Sequence, residues 1–513
     1  MKILMLAAEN GALPQGKVGG MGDVIRDLPR ALAALGHDVT VLTPAYGMWS
    51  TLPGSTPVQS LSVPFGGKTE DVECFAIDSG QEGLSYVVVE HALFSPCGIG
   101  RVYIDDGNAA PFHEDASKFA FFSATGAAFA LETIPDVVHL HDWHTGLYLA
   151  LRALDARFEQ LKSVRTVFTI HNLALQGQRP WADNESAWHS WFPWLGSVVE
   201  ELSDPVFADC VNPLAAGIRL ADQVTTVSPA YADEILKPND PLHGIHGGEG
   251  LEDDLQQAAA GGRLLGILNG CEYSISRQRL SWKKFLDLVQ HCLHRWIASE
   301  NTLASAHYLA LDRLARLPKR RPPTLLTSVG RLTDQKVALL LQDTSEGESA
   351  LDTILSRLDA GEWFLLLGSG DGEIEKALSR AVVDHPNFLF LRGYSDELAD
   401  AVFRLGDLFL MPSSFEPCGI SQMLAMRAGQ PCVAHAVGGL KNTIADDTGF
   451  LFDGPSLTEQ ADALVTTVDV AIDLKRSNSP GWNAMRASAA AQRFDWGLAA
   501  RRYVEEAYGR RAN

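Results

Sequence analysis

Basic residues are in short supply in this chain. Its 513 residues include 42 Lys and Arg against 63 Asp and Glu, a formal charge of -21. That balance excludes nucleic acid and anionic membranes as the main partners, because both are polyanions. Any diphosphate site must then be built from a few local cations and backbone N–H groups, whereas neutral polymers would not be repelled. Cysteine is scarce and scattered, at Cys74, Cys97, Cys210, Cys271, Cys292, Cys418 and Cys432. An odd count with no C-x-x-C pair argues against a disulfide framework or a zinc site and points to a reduced, cytoplasmic protein. Long apolar runs are missing as well, and none approaches the ~20 residues of a membrane span. The run from Ile3 to Ala8 ends at Glu9, too soon for a secretory signal, and reads as a first strand. No internal repeat and no long low-complexity tract is evident.

What is present is globular composition, 46% apolar and 20% charged. The length is too great for one ordinary core, so two domains or more are expected. Ile3 to Ala7 reads as a strand, followed by a glycine-rich loop, with Asp23 placed to cap a helix over Val24 to Leu35. Gly36 ends that helix, and Val39 to Leu42 forms the next strand. Strand-then-loop units recur at Val137 to Leu140, Thr166 to Ile170 and Val224 to Val227. The pattern restarts at Thr324 to Thr327, Trp363 to Leu367 and Phe388 to Leu391. Strands alternating with helices imply parallel sheets, and two such sets imply two doubly wound domains facing each other with the ligand in the cleft. The first boundary falls near Gly266 to Cys271. Lys284 to Leu317 is helix-like, and Pro318 to Pro323 reads as a solvated basic connector rather than a nucleic-acid contact.

The stretch Phe415-Glu416-Pro417-Cys418-Gly419 follows the apolar run Leu408 to Pro412 and precedes a helix-like run, Ile420 to Arg427. A carboxylate is thereby set on a strand-to-helix turn, where open α/β sheets place ligand groups. The loop Lys17-Val18-Gly19-Gly20-Met21-Gly22-Asp23 also joins a strand to a helix. Glycines there allow a ligand near the backbone, and a helix start favours anions; a tight turn is the alternative. It is neither a Walker loop nor a dinucleotide fingerprint, since Lys17 precedes the glycines and the G-x-G-x-x-G spacing fails. Together the two loops suggest a sugar-nucleotide glycosyltransferase.

Other positions are open to two readings. Arg331 and Lys336, five residues apart after a strand, suit the two phosphates of a nucleotide diphosphate or form a surface pair. His139-Leu140-His141-Asp142-Trp143-His144 is dense in metal-ligand types, but no partner cluster of supporting spacing exists, so a polar cleft edge is the better reading, with Asp142 its best-placed acid. His171 ends another strand, which favours a ligand role over a structural one. Gly438-Gly439 repeats the glycine-loop theme before another helix. Trp181, Trp188, Trp191 and Trp194 could stack on sugars, yet their spacing favours packing.

Taken together, these residues resemble the bacterial glycogen synthase and plant starch synthase family, glycosyltransferase family 5. The match runs in family order through most of the chain: Lys17 to Val24, His141 to His144, His171 to Ala174, Thr226 to Pro229, Gly266 to Gly270, Gly330 to Lys336, Phe415 to Gly419, Gly438 to Leu440, Thr448 to Phe450 and Phe494 to Trp496. The resemblance implies a GT-B fold of two Rossmann-like doubly wound domains across a deep cleft. Residues 1–265 would form the acceptor-side domain, joined by a C-terminal helix over 492–513, and 266–491 the nucleotide-sugar domain. The implied reaction is transfer of glucose from ADP-glucose to the non-reducing end of an α-1,4-glucan, with retention of configuration and without metal or cofactor.

By the same resemblance, Lys17 and Gly20 approach the donor phosphates and glucose, and Arg331 and Lys336 stabilise the diphosphate leaving group. Glu416 holds glucose hydroxyls, His171 lines the anomeric centre, Asp142 and Asn269 line the sugar site, and Tyr394 stacks on the adenine. Gly19, Asp23, Cys418, Gly419, Gly438 and Gly439 fall among the substrate-binding positions. Domain closure would exclude water. The chain departs from the family pattern at Val18 and Val437, where threonine is usual, at Cys271 to Ile275, and over Ser95 to Ala109. A transferase with another donor or a small acceptor, a non-catalytic glucan-binding homologue, and a metal hydrolase built on His139 and His141 are the competing readings.

Overall fold

The computed structural model describes every residue except 105–111, 197–198, 274–279, 300–303, 478–479 and 510–513. Ser274, Ile275, part of the divergent segment before Ala109 and the last four positions of the expected C-terminal helix therefore lie outside the described residues. The chain separates into two compact units. One comprises Met1–Asn239, Gly247–Gly270 and Asp495–Asn513, the other Asp240–His246 and Cys271–Phe494. Apart from the excursion at 240–246, the chain crosses at 270/271 and 494/495, where the sequence reading sets 265/266 and 491/492. The short excursion Asp240–His246 belongs with the second unit, a placement that local sequence gives no means of reading.

In the first unit the strand order is Leu264–Gly266, Gln223–Thr226, Arg165–Ile170, Val137–His141, Lys2–Leu6, Asp38–Pro44, Leu84–Glu90, Lys68–Asp78, Thr56–Phe65. The first seven strands pair in parallel. The last two form an antiparallel hairpin on that edge. The sequence carries a signal for this hairpin, an alternating apolar pattern on both sides of Gly66-Gly67, which attention to strand-then-loop units alone misses. Chain order reverses at Lys2–Leu6, which is flanked by Asp38–Pro44 on one side and Val137–His141 on the other. Loops at the carboxyl ends of such strands are where open α/β sheets bind ligands.

The second unit has a six-stranded parallel sheet ordered Phe388–Arg392, Trp363–Gly368, Leu325–Val329, Leu408–Met411, Cys432–His435, Gly449–Phe452. Its strands are apolar on both faces because helices cover both. Leu326, Phe364, Leu366, Phe390 and Leu410 enter one core cluster, and Leu325, Leu365, Leu367, Leu391 and Phe409 enter the other. That is the period-2 alternation of a doubly covered parallel sheet. Its reversal point lies between Leu325–Val329 and Leu408–Met411.

The chain's end returns to the first unit. Helix Trp496–Arg502 places Trp496, Ala499 and Ala500 in one core with Val24, Ile25 and Leu28 of helix Gly20–Ala34. A Cβ on Gly270 would lie 2.6 Å from the Trp496 nitrogen, so the two crossings pass one another at a point only glycine fits. The helix-like stretch from Lys284 is two helices, Trp282–Ser299 and Ser305–Arg316. Within the basic connector, Arg321 is not simply solvated, since it pairs with Asp407 at 2.7 Å. Trp181, Trp188 and Trp191 are buried, as packing predicts. Trp194 instead lies under Arg157 at 4.4 Å and donates to Asp155 at 3.0 Å. Among the described residues, no helix is long and apolar enough to cross a membrane.

Candidate active-site groups in the two units

In the second unit Arg331, Lys336 and Glu416 lie on the segments that follow the two strands of the reversal point. Gly330 and Arg331 follow one of its central strands, and the loop carrying Glu416 follows the other. Lys336 lies in the first turn of helix Asp334–Leu341, and its ammonium contacts the Glu416 carboxylate directly. Ser413 donates to the same carboxylate oxygen at 3.1 Å. His435 meets the Ser413 carbonyl at 3.0 Å, while Gln335 donates to the Phe415 carbonyl at 2.8 Å. The turn is therefore held from both sides. Arg331 is exposed, and among the described residues its guanidinium has no ion-pair partner. A recess opens here, lined by Gly330, Arg331, Lys336, Met411, Ser413 and Ser421 among others.

Gly438 and Gly439 serve this turn by absence. A Cβ on Gly438 would sit 2.0 Å from the Glu416 carbonyl oxygen, and one on Gly439 would sit 2.2 Å from that of Cys418. Gly439 N–H donates to the Glu416 carbonyl at 3.0 Å. Both glycines lie inside the short helix Gly438–Thr443, whose N-cap, Val437, makes no side-chain cap bond. Gly419 has a φ of +74°, a left-handed conformation that suits glycine, and Cys418 is buried beside it. Tyr394 follows edge strand Phe388–Arg392, is about half exposed, and donates to Asp396 at 2.8 Å.

The first unit differs in how it handles charge. Glu9, in the loop after the first strand, is buried, and one of its oxygens accepts from the backbone N–H groups of Val18, Gly19 and Gly22 at 2.9, 2.7 and 3.2 Å. Its other oxygen accepts from the Tyr103 hydroxyl at 2.9 Å. Three amides of this loop are thus turned toward the protein's own carboxylate. Asp23 does not cap the helix. It lies within the first turn of Gly20–Ala34, where it pairs with Lys17 at 2.8 Å and Arg26 at 3.0 Å. The expected cap fails because the helix already begins at Gly20, with Gly19 as its extended N-cap and the Gly19 and Gly22 amides bound to Glu9. Gly20 itself faces open space, where an added Cβ would meet nothing within 4 Å.

Asp142 has a φ of +54°, unusual for a non-glycine residue and costly to hold. Its buried carboxylate accepts from the His171 N–H at 2.6 Å. Burial, only partly opposed by the His171 and Asn172 backbone bonds, pushes its carboxyl up to about 8. Burial likewise lowers the His139 and His171 imidazoles to about 3. His141 Nδ1 lies 3.0 Å from His171 Nε2. Both ring nitrogens of His139 are engaged, by Tyr508 at 2.8 Å and by Thr169 at 2.6 Å. Among the described residues there is no group of three or more His, Cys, Asp or Glu that could hold a metal ion. Asn269 is buried with its side-chain oxygen unpartnered.

Lys17, Gly19, Gly20, Asp23, Asp142, His171 and Asn269 therefore belong to the first unit. Arg331, Lys336, Tyr394, Glu416, Cys418, Gly419, Gly438 and Gly439 belong to the second. Motif reading singled out neither Glu9 nor Ser413, and took His141 only as part of the cluster from His139 to His144. Glu9 carried a signal, a carboxylate directly after the apolar run Ile3 to Ala8. Ser413 carried none, since serine is common in any loop.

Comparisons with known proteins give a family match on each half of the chain. Residues 2–257 match the starch synthase catalytic domain, and residues 323–469 match the glycosyl transferases group 1. A glycogen synthase of Anaeromyxobacter sp. is 35% identical over 98% of both chains. A glycogen synthase of Streptococcus equi subsp. equi is 31% identical over 98% of this chain and 99% of its own. The catalytic domain of starch synthase IV from Arabidopsis thaliana, solved with ADP and acarbose, superposes with a TM-score of 0.74 at 25% identity, covering 99% of this chain and 98% of its own.

Proposed function

We infer the reaction from family membership: the chain belongs to the glycogen synthase and starch synthase family, and we propose that it transfers glucose from ADP-glucose to the non-reducing end of an α-1,4-glucan. The observation that carries this reading is the charge arrangement at the reversal point of the second unit. In an acidic chain, a guanidinium with no ion-pair partner among the described residues lines one recess with an ammonium that contacts a buried carboxylate. Cleaving the glucosyl bond builds negative charge on the diphosphate and positive charge on the sugar. Arg331 and Lys336 oppose the first by supplying positive charge where the diphosphate departs. Glu416 accepts hydrogen bonds from glucose hydroxyls. Lys336 contacts the Glu416 carboxylate, so a diphosphate competes with Glu416 for the ammonium while Ser413 retains the carboxylate.

Adenine as the base is favoured by ADP in the similar starch synthase structure and by the half-exposed ring of Tyr394. In the first unit, His171, Asp142 and Asn269 supply neutral polar groups for sugar hydroxyls. Asp142 retains its proton below about pH 8, so it donates as well as accepts. The proposal includes retention of configuration, needs no protein nucleophile, no metal and no cofactor, and places the enzyme in the cytoplasm.

The test is ADP release with glycogen as acceptor, comparing ADP-glucose with UDP-glucose, in chelator and without it. Glu416→Ala and Lys336→Ala should each lower the rate by on the order of 10² or more. Glycogen-dependent turnover that survives both changes would sink the assignment. Turnover only with a small sugar acceptor would replace the glucan.

A further inference from the structure

The two strand-end histidines of the first unit form a buried pair whose protons can be counted. His141 Nδ1 and His171 Nε2 are 3.0 Å apart, so one of them carries the shared hydrogen. His141 is fully buried, and its other nitrogen, Nε2, has no hydrogen-bond partner. If His171 were the donor, a neutral His141 would carry its proton on that orphaned Nε2. If His141 Nδ1 is the donor, only a lone pair is orphaned. Buried N–H groups without an acceptor are the rarer case in folded proteins. The rings are also held in place. His139 stands 4.2 Å from His141, centroid to centroid, and is itself fixed by Tyr508 and by Thr169, whose hydroxyl lies 2.6 Å from that of Thr225.

We propose that His141 is a positioning residue that donates from Nδ1 to His171 Nε2 and so fixes His171 as the Nδ1–H tautomer. His171 then offers its site an N–H donor, which recognises an oxygen lone pair of the sugar rather than a hydroxyl proton. Burial keeps both rings neutral, with His141 lowered well below its ordinary value and His171 lowered to about 3. A hydrogen bond from a partner ring selecting the tautomer is the usual way histidine is set for its task. The part concerning the sugar rests on the proposed function, while the tautomer does not.

The test is a long-range proton–nitrogen NMR spectrum of the full chain with ¹⁵N-histidine. The chain has 15 histidines, and the His171 signals are identified by their loss in His171→Gln. The expected result is a single Nδ1–H tautomer at His171. Finding the Nε2–H tautomer, or protonation of both nitrogens at pH 7, would overturn the proposal. His141→Asn keeps an amide donor where Nδ1 stood and should preserve the tautomer and most of kcat. His141→Phe should release it and lower kcat about tenfold, the effect of one lost hydrogen bond, with KM for the donor little changed. An unchanged His171 tautomer in His141→Phe would overturn the positioning role of His141, whereas equal kcat in the two variants would overturn only the part concerning the sugar. Full activity in His171→Ala would remove the sugar-site reading and leave the tautomer result standing.

Discussion

The two units share a parallel doubly wound design yet treat charge in opposite ways at their reversal points. In the first unit every ionic group of the glycine loop is answered within the unit: Glu9 by three loop amides, and Lys17 by Asp23. Its strand-end histidines are neutral. In the second unit Arg331 is unpaired among the described residues, and Lys336 shares a carboxylate that also has a serine donor. The same fold thus offers a neutral polar surface in one copy and available cations in the other. Sugar hydroxyls suit the first, and a diphosphate suits the second.

The sharpest way to break this comparison is to remove the available cation. Arg331→Ala should lower glucosyl transfer by on the order of 10² and weaken ADP binding in calorimetry. Unchanged ADP affinity would mean that the second unit does not hold the diphosphate. Glu9→Ala should cost about 1–3 kcal/mol of stability, because three loop amides lose their acceptor, and should reduce activity about tenfold. ADP affinity should stay at the wild-type value, since the cations are elsewhere; a parallel loss of ADP binding would return the diphosphate to the glycine loop.

The pH dependence of stability sharpens the neutral side. His139 and His171 are held near 3 against an ordinary 6.5. As pH falls, the unfolded chain protonates first, so their contribution is complete above 6.5 and is lost between 6.5 and about 3. Asp142 acts in the other direction. Its carboxyl at about 8 retains a proton that the unfolded chain releases near 3.8, so that contribution is full below 3.8 and gone once pH passes about 8. The apparent Tm should therefore descend below pH 6.5, and a flat profile from 6.5 to 4.5 would contradict buried neutral imidazoles. The smallest expected effect is that of Val437→Thr. A hydroxyl at the N-cap of Gly438–Thr443 should add about 1 kcal/mol or less, read as a rise of about two degrees or less in Tm. No rise would show that this short helix gains nothing from a cap.

Much of the fold was legible because its strands are apolar runs with period-2 burial on both faces, followed by glycine-rich turns. The motifs at Lys17, Asp142, His171, Arg331, Lys336 and Glu416 stood out because each follows such a run. Asp23 was misplaced by about one turn of helix, since nothing local reveals that Glu9 organises the amides before it. Gly438 and Gly439 looked like a ligand loop, and their tight contacts show a second reason for glycine, the close passage of the Glu416 turn.

By itself the sequence determined the chain's class, its two parallel sheets and the motifs that follow their strands. Those follow from local periodicity and residue type, which neighbours in the chain encode. Only the tertiary structure decided which charges are spent within the protein and which remain available. The Glu9 acceptor set spans 13 positions, the Lys336–Glu416 contact 80, and the Tyr508–His139 bond 369. Pairings at such separations depend on how strands are ordered in a sheet, and that order arises from the packing of the whole unit rather than from any stretch of its sequence.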